Sequence, residues 1–273
     1  MSEQLPVSAI HPLAPEFLSA AVLYQAPIDL EAAVARINTI WNESVEPVWE
    51  SVPAGQLGAG SSAGRIYRFT LEGILVMLTP VPEKLQVERG NLPDHSFYVA
   101  ITCFAPLGDQ AGNGEIGEVD DLPSQRRKRM LTAHVVLTEL LDVMLREPAA
   151  VGVYRQELGV VQPPEMIIEL ANSLTQGQAP LPLWVAVRTF RPDLANGRTL
   201  GLPLFGHLDL EVVESVRSDE ELYSLLANIS DYIVSSDAFL MPGQTIGYRD
   251  GEELQITQGT SPTDGSAVLR IQY

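Results

Sequence analysis

Cysteine is almost absent from this sequence. Cys103 is the single cysteine among 273 residues, so neither an internal disulfide nor a cysteine-based zinc site can form within one chain. Such a chain is typical of a reducing compartment, and we expect a cytoplasmic protein.

The N-terminal sequence MSEQLPVSAIHPLAPEF has neither the basic nor the apolar segment of a signal peptide. The longest apolar runs, such as Ile74–Leu78, are about a quarter of a membrane span, so no membrane contact is expected.

Positive charge is also scarce. The chain has 17 lysines and arginines against 35 aspartates and glutamates, a formal net charge of −18. Phosphate backbones would be repelled by such a surface, which argues against nucleic acid as a partner. Two interpretations of the acidity remain open. It can serve solubility alone, or it can form an acidic face for a basic protein, whose attraction salt would screen beyond roughly 8 Å.

Motifs for catalysis or cofactor binding are missing in the context that their chemistry needs. The four histidines, His11, His95, His134 and His207, include no pair at the i, i+4 spacing of a helical metal site. GSSAG at Gly60–Gly64 matches G-x-S-x-G with Ser62 as the nucleophile, but a loop rich in glycine precedes it and a predicted strand follows. We therefore assign no catalytic, cofactor or metal residue from motifs, and we expect no cofactor.

Two charged features have both a structural and a functional interpretation. RRKR at Arg126–Arg129 lies at the start of a predicted helix, where the acidic loop before it can neutralise it, or where it can bind an acidic partner. The pairs Glu211/Glu214 and Glu252/Glu253 resemble acid/base carboxylates. Because both pairs lie on strands with an alternating pattern, such as LDLEVV, we expect these carboxylates to lie on solvated strand faces instead.

The order of patterns predicts an α+β protein with mixed, mostly antiparallel sheets and amphipathic helices packed on them. The clearest helix runs from Pro123 to about Arg146, with His134 on its buried stripe. FYVAITCFAP (Phe97–Pro106) and LWVAVRTFRP (Leu183–Pro192) read as similar strands in comparable places. This similarity suggests two related α+β halves, residues 1–146 and 147–273, which can also form one compact domain.

Local patterns predict several elements more closely. Glu72-Gly73 predicts the turn of a hairpin, and Ser218 and Glu221 predict a capping box that opens a helix. Thr199–Leu204 is predicted to be a strand. The buried stripe of the long helix is predicted to consist of Met130, His134, Leu137, Leu141 and Met144.

Three stretches together resemble a bacterial family of proteins, the domain of unknown function 4261. They are AVGVYRQELGVVQPPEMIIELA (Ala150–Ala171), LPLWVAVRTFRP (Leu181–Pro192), with a tryptophan on a predicted strand, and LGLPLFGHLDLEV (Leu200–Val212). The C-terminal DGEELQIT fits more weakly. The resemblance implies no established reaction and carries no catalytic residues. Some relatives resemble members of toxin–immunity neighbourhoods.

The sequence therefore favours a non-enzymatic protein that binds another protein, with a basic partner as one form of this prediction. An immunity-type inhibitor of a basic toxin is the specific version. The alternative is a small-molecule hydrolase or another enzyme, for which Tyr154, Arg155, Glu157 and His207 are the first candidates because they lie at strand ends. A structural or oligomeric scaffold is a third possibility, and the oligomeric state does not follow from the sequence.

Overall fold

The computed structural model describes residues 17–40, 45, 47–52, 64–87, 91–105 and 122–273. These residues contain five α-helices and thirteen strands, and the strands form two sheets. The predicted α+β class is therefore confirmed. The described residues divide into two compact units with one sheet each. The seven-stranded unit comprises residues 17–105 and 129–183, and the six-stranded unit comprises residues 122–128 and 184–273. None of the described helices is both long and apolar enough to cross a membrane.

The sheet of the seven-stranded unit is antiparallel throughout. Its strands are β1 (Phe17–Tyr24), β2 (Val48–Val52), β3 (Gly64–Leu71), β4 (Ile74–Val81), β5 (Phe97–Phe104), β6 (Ala150–Arg155) and β7 (Val160–Gln162). Their order across the sheet is β2-β3-β4-β5-β1-β6-β7. The helices between and after these strands are α1 (Leu30–Ile40), α2 (Leu122–Leu145), α3 (Pro164–Ala171) and α4 (Leu181–Trp184).

The predicted periodicities account for the core of this unit. Every second residue of β5 is buried, as a strand with one covered face requires. The predicted stripe of α2, which consists of Met130, His134, Leu137, Leu141 and Met144, is buried throughout. The hydroxyl of Tyr24 donates a hydrogen bond to the carbonyl oxygen of Met144 (3.1 Å) and so ties β1 to this helix.

The predicted hairpin between β3 and β4 has the expected turn. Glu72 and Gly73 have φ angles of 47° and 72°, the left-handed pair of a type I′ turn, whose twist matches that of the strands. Glycine suits the second position because a φ angle of 72° is strained for other residues; a Cβ there would lie 3.1 Å from the guanidinium of Arg129.

The six-stranded sheet is mixed. Its strands are β8 (Ala186–Phe190), β9 (Ala195–Leu200), β10 (Leu210–Ser215), β11 (Thr245–Gly247), β12 (Glu253–Thr260) and β13 (Ala267–Ile271), in the order β11-β12-β13-β10-β9-β8. β10 and β13 are parallel and the other pairs are antiparallel. Helix α5 (Asp219–Ser235) begins with the predicted capping box of Ser218 and Glu221. It packs closely on Gly197 of β9, where a Cβ would lie 2.8 Å from Cδ1 of Leu226.

Two of the predicted strands are corrected. Trp184 belongs to α4 and not to a strand, because Pro182 suits the first turn of a helix and cannot donate to a sheet, so β8 begins only at Ala186. The strand predicted for Thr199–Leu204 ends at Leu200. The following Leu202–Phe205 forms a 3₁₀ turn with Pro203 in its first turn.

The hypothesis of two related halves is contradicted. β5 lies inside its sheet, between β4 and β1, whereas β8 is the edge strand of the other sheet. The two similar stretches therefore occupy non-equivalent positions. The predicted division at residue 147 does not coincide with the division between the sheets, since β6 follows it and pairs with β1. The boundary between the units after α2 falls at residues 183 and 184.

Candidate functional site

The four candidate residues do not form one site within either unit. Tyr154 and Arg155 are neighbours on β6, so their side chains point to opposite faces of the seven-stranded sheet. Tyr154 is half-buried and Arg155 is buried. Glu157 lies beyond the end of β6 and contacts Arg155, with 3.8 Å between Nε and Oε2. His207 belongs to the six-stranded unit.

Arg155 is enclosed in the core of the seven-stranded unit, where it is 1% exposed. Its Nη1 donates a long hydrogen bond to the carbonyl oxygen of Leu183 (3.4 Å), while Nε and Nη2 have no hydrogen-bond partner. Burial lowers the pKa of the guanidinium, and the carboxylate of Glu157 opposes this change. The pair is therefore a buried charge with one nearby counter-ion, which makes Glu157 important for stability.

Glu157 also completes the hydrogen bonding of β1. The pairing of β1 with β6 covers Ala21–Tyr24, so the amide of Ser19 lies beyond it. Oε1 of Glu157 accepts hydrogen bonds from this amide (2.8 Å) and from the hydroxyl of Ser19 (2.6 Å). The side chain thus takes the place of a missing strand partner, as buried backbone groups require.

Cys103 and His134 share the apolar surroundings of Arg155. Burial raises the pKa of the Cys103 thiol to about 12, so the thiol is protonated at neutral pH and is a poor nucleophile. The pKa of His134 is well below its usual value because of burial and, second, because of the positive charge of Arg155. Neither residue is suited to acid–base or nucleophilic chemistry near pH 7.

His207 is a structural residue in the six-stranded unit. Its side chain is fully buried, its Nδ1 lies 2.7 Å from the carbonyl oxygen of Leu208, and its Nε2 accepts a hydrogen bond from the amide of Leu240 (3.2 Å). This arrangement requires the neutral ring with the proton on Nδ1. Burial lowers the pKa of His207 to about 4, so the ring keeps this form at neutral pH.

The basic cluster RRKR includes one arginine that is not at the surface. Arg127 is 1% exposed and donates hydrogen bonds to the carbonyl oxygens of Phe205 (2.9 Å), Ile233 (3.2 Å) and Ala238 (2.7 Å). The acidic residues of the preceding loop lie outside the described residues. The sequence contained a signal for this burial, because Arg127 is three residues before Met130 and thus continues the buried stripe of α2.

A buried row of charges crosses the six-stranded sheet. Glu211 pairs in register with Arg198 of β9 and Arg270 of β13. It accepts hydrogen bonds from the hydroxyl of Ser261 (2.6 Å) and Nε of Arg270 (3.4 Å), and Arg198 also pairs with Asp264 (2.9 Å). Glu211 is only 3% exposed, so the predicted solvated position is wrong. Alternation cannot distinguish a solvated face from one that neighbouring arginines cover.

Asp209, just before β10, is the second buried carboxyl group of this unit. It accepts hydrogen bonds from the hydroxyl of Thr199 (3.0 Å) and the amide of Leu202 (3.2 Å). Burial raises its pKa to about 7, although Thr199 and the charge of Arg198 favour the ionised form. The hydrogen bonds from Thr199 and Leu202 therefore hold a titratable carboxyl group, that of Asp209, in the protein interior.

Asp209→Asn is expected to remove a pH-dependent loss of stability. Because the folded-state pKa of Asp209 is raised, the folded wild type holds a proton that the unfolded chain releases between about pH 4 and pH 7. The free energy of unfolding of the wild type, relative to the asparagine variant, should fall over this range by on the order of 3–4 kcal/mol. Urea unfolding at pH 4, 5.5, 7 and 8 measures this difference. A difference that is constant with pH would contradict the buried titration.

Three exposed apolar residues of the six-stranded unit lie at one end of its sheet. Phe190 ends β8, Leu194 lies in the turn to β9, and Val216 follows β10. The register places them together, since Phe190 pairs with Asn196 and Ser215 with Ala195. Their exposed fractions are 48%, 39% and 83%. We call Phe190, Leu194 and Val216 the sheet-end patch.

A β-bulge directs part of this patch towards solvent. The register of β10 against β9 shifts between Val212 and Ser215, and Glu214 within the bulge has a φ angle of 53°. This conformation is uncommon for a residue other than glycine and costs roughly 1 kcal/mol or more. The amide of Glu214 is held by Oδ1 of Asn196 (3.1 Å). Bulges of this kind re-aim side chains and are frequent next to functional sites.

Exposed acidic residues lie close to the sheet-end patch in the sequence. Asp193, Glu214 and Glu220 are exposed beside it in the sequence. The two nearby arginines pair with carboxylates, Arg191 with Asp219 (2.9 Å) and Arg217 with Glu252 (3.0 Å). The patch therefore combines apolar side chains with an acidic border. Within the described part of the chain, no group of three or more histidine, cysteine, aspartate or glutamate side chains is arranged to hold a metal ion.

Comparison with known families supports the C-terminal part of the predicted resemblance. Residues 198–272 match the family model described as Domain of unknown function (DUF4261). The matched segment contains the buried charge row, α5 and Val216. It contains the whole of Leu200–Val212 and of the DGEELQIT stretch, whereas Ala150–Ala171 and Leu181–Pro192 lie outside it. No curated protein and no solved structure matches the chain.

Proposed function

We propose that this protein acts without catalysis, by binding a basic partner protein at the sheet-end patch. The observation that carries the proposal is Val216, an 83% exposed valine that follows a strained bulge and lies beside two further exposed apolar residues. An apolar surface with a polar rim is the usual anatomy of a specific interface. We place the interaction in the cytoplasm, where a chain with one buried cysteine is expected.

The charge of the patch border supports a basic partner. Three exposed carboxylates lie beside the patch, and its two arginines are engaged with other carboxylates. A partner that presents lysine or arginine would be attracted to this border and would bind faster at low salt. An immunity-type inhibitor of a basic toxin fits this chemistry and is the specific form of the proposal.

Val216→Asp is expected to abolish this binding while leaving the fold intact. The substitution places a charge in the apolar centre of the interface, whereas an 83% exposed position tolerates aspartate in the free protein. We expect the tagged full-length protein to retain one basic protein in stoichiometric amount from native cells, at physiological and raised salt. With that partner purified, the dissociation constant should rise at least about 100-fold, since a buried unpaired charge costs roughly 3 kcal/mol or more.

Val48→Asp is the matched control. Val48 is also an exposed valine (54%), but it lies on β2 of the seven-stranded unit. Equal losses of binding in the two variants, or retention of the partner by Val216→Asp, would contradict a site at the sheet-end patch. Retention of many proteins that all dissociate at raised salt would contradict a specific partner.

Glu214→Gly is expected to separate binding from stability. Glycine adopts φ angles near 53° without strain, so the free energy of unfolding should stay constant or rise by up to about 1 kcal/mol. The association rate with the purified basic partner should fall and depend less on salt, because one carboxylate of the border is lost. Glu253→Gln removes the same charge at an exposed position of β12 and is the control. An equal change in both variants would show that only net charge matters.

A further inference from the structure

We infer that the partner binds by adding an extended segment to the outer edge of β8, so that the sheet-end patch receives the end of that segment. This inference rests on the proposed function, because it specifies the mode of binding at the same site. β8 is the last strand of the six-stranded sheet, and its final residue, Phe190, belongs to the patch. A strand added beside β8 would therefore run directly onto exposed apolar surface.

β8 differs from the other edge strands among the described residues. β7 and β11 have three residues each, which leaves little edge for a partner to pair with. β2 has five residues, but Pro47 precedes it directly and Pro53 follows it in the sequence. Short length and flanking proline are the usual devices that keep an edge strand from pairing with another chain.

The sequence of β8 is suited to pairing. Its five residues, AVRTF, contain no proline or glycine, and Val187 and Thr189 are β-branched residues that favour extended backbone. Helix α5 packs behind β8 and β9 and supports the edge from one face. An added strand would thus join a sheet that is supported by a helix, which limits the conformational entropy that β8 loses on binding.

The side chains near the edge specify the chemistry of the segment. A residue beside Phe190 should be apolar, because cross-strand pairs of aromatic and apolar side chains are stabilising. Arg188 lies two residues before Phe190 and is exposed. A residue beside Arg188 should not be lysine or arginine, because like charges on neighbouring strands repel. Beyond Phe190 the segment reaches the acidic border, where lysine or arginine is favoured. The occupant is therefore an extended protein segment with apolar residues at alternate positions and a basic end.

Selection from a random library of 12-residue peptides on the full-length protein tests this inference. We expect enriched peptides to combine alternating apolar residues with lysine or arginine at one end and to lose at least about 30-fold in affinity for Val216→Asp. Hydrogen exchange of the amides in β8 should slow at least about 10-fold when a selected peptide binds. In an added strand only every second amide faces the sheet. N-methylation along the peptide should therefore reduce affinity at alternate positions only.

The outcomes separate the mode of binding from the proposed function. Peptides that are sensitive to Val216→Asp but leave exchange in β8 unchanged, or lose affinity evenly along an N-methyl scan, overturn strand addition and leave the binding surface in place. Peptides that bind the wild type and Val216→Asp with equal affinity overturn strand addition, and they also overturn the assignment of the binding surface to the sheet-end patch. A selection without enrichment also overturns strand addition, and the partner retained from native cells then decides the proposed function independently.

Discussion

Arg127→Ala is expected to destabilise the protein by roughly 5 kcal/mol. The guanidinium is buried, and three backbone carbonyl oxygens, those of Phe205, Ile233 and Ala238, accept its hydrogen bonds. Alanine would leave these carbonyls without this donor in the protein interior, at about 1–3 kcal/mol each where water cannot replace it. The cavity left behind and the lost stacking on the ring of Phe239 (3.7 Å from Cζ to the centroid) add to this.

Urea unfolding measures the loss, with Lys128→Ala as the control. Lys128 is the next residue of the same basic cluster and is exposed, so its removal should lower the free energy of unfolding by about 1 kcal/mol at most, as is usual for an exposed charge. Burial lowers the pKa of Arg127 to about 10, and Asp237 opposes this shift, so the side chain remains charged at neutral pH. Equal effects of the two substitutions would show that the cluster acts only through its surface charge.

Glu157→Gln is expected to destabilise the protein by about 3–5 kcal/mol, and Arg155→Met should reverse most of that loss. Glutamine keeps an oxygen for the Ser19 amide, so the substitution removes chiefly the charge that faces buried Arg155. An unbalanced guanidinium in an apolar core is costly. Methionine has a similar volume and no charge, and the remaining Glu157 carboxylate is 19% exposed and keeps its hydrogen bonds from Ser19, so Arg155→Met alone should destabilise the protein much less than Glu157→Gln does.

The double-mutant cycle of these two substitutions isolates the pair. We expect a coupling energy of about 3 kcal/mol between positions 155 and 157, measured by urea unfolding of the wild type, both single variants and the double variant. Additive effects would show that the ion pair across 3.8 Å is not what holds Arg155 in the core. A large loss in Arg155→Met alone would show instead that the guanidinium contributes through its own hydrogen bonds.

Local patterns predicted the elements of the fold well. The period of α2 predicted its buried stripe, the capping box predicted the start of α5, and Glu72-Gly73 predicted the hairpin turn. These features depend on neighbours within a few residues, which the sequence contains. Predictions failed where the position of a strand depends on its pairing with residues far away in the sequence. The similar stretches at β5 and β8 have comparable local patterns, yet one strand is interior and the other is an edge.

The candidate site could be predicted only in part. Arg155 and Glu157 were correctly expected near one strand end, but the sequence could not show that they lie in a core. The alternating pattern predicted that Glu211 lies in solvent. It could not take into account Arg198 and Arg270, which are 13 and 59 residues away along the chain but lie beside Glu211 in the sheet. Nor did any local pattern bring Phe190, Leu194 and Val216 together.

The sequence by itself determined the α+β class, the acidic charge, the main helices and the likeness to a family of unknown function, because composition and short-range periodicity carry that information. The tertiary structure decided which charges are buried and where apolar side chains remain exposed. Burial of a charge depends on partners from distant strands, and exposure depends on what fails to pack over a residue. Both are properties of strand order and register, which no stretch of a few residues contains.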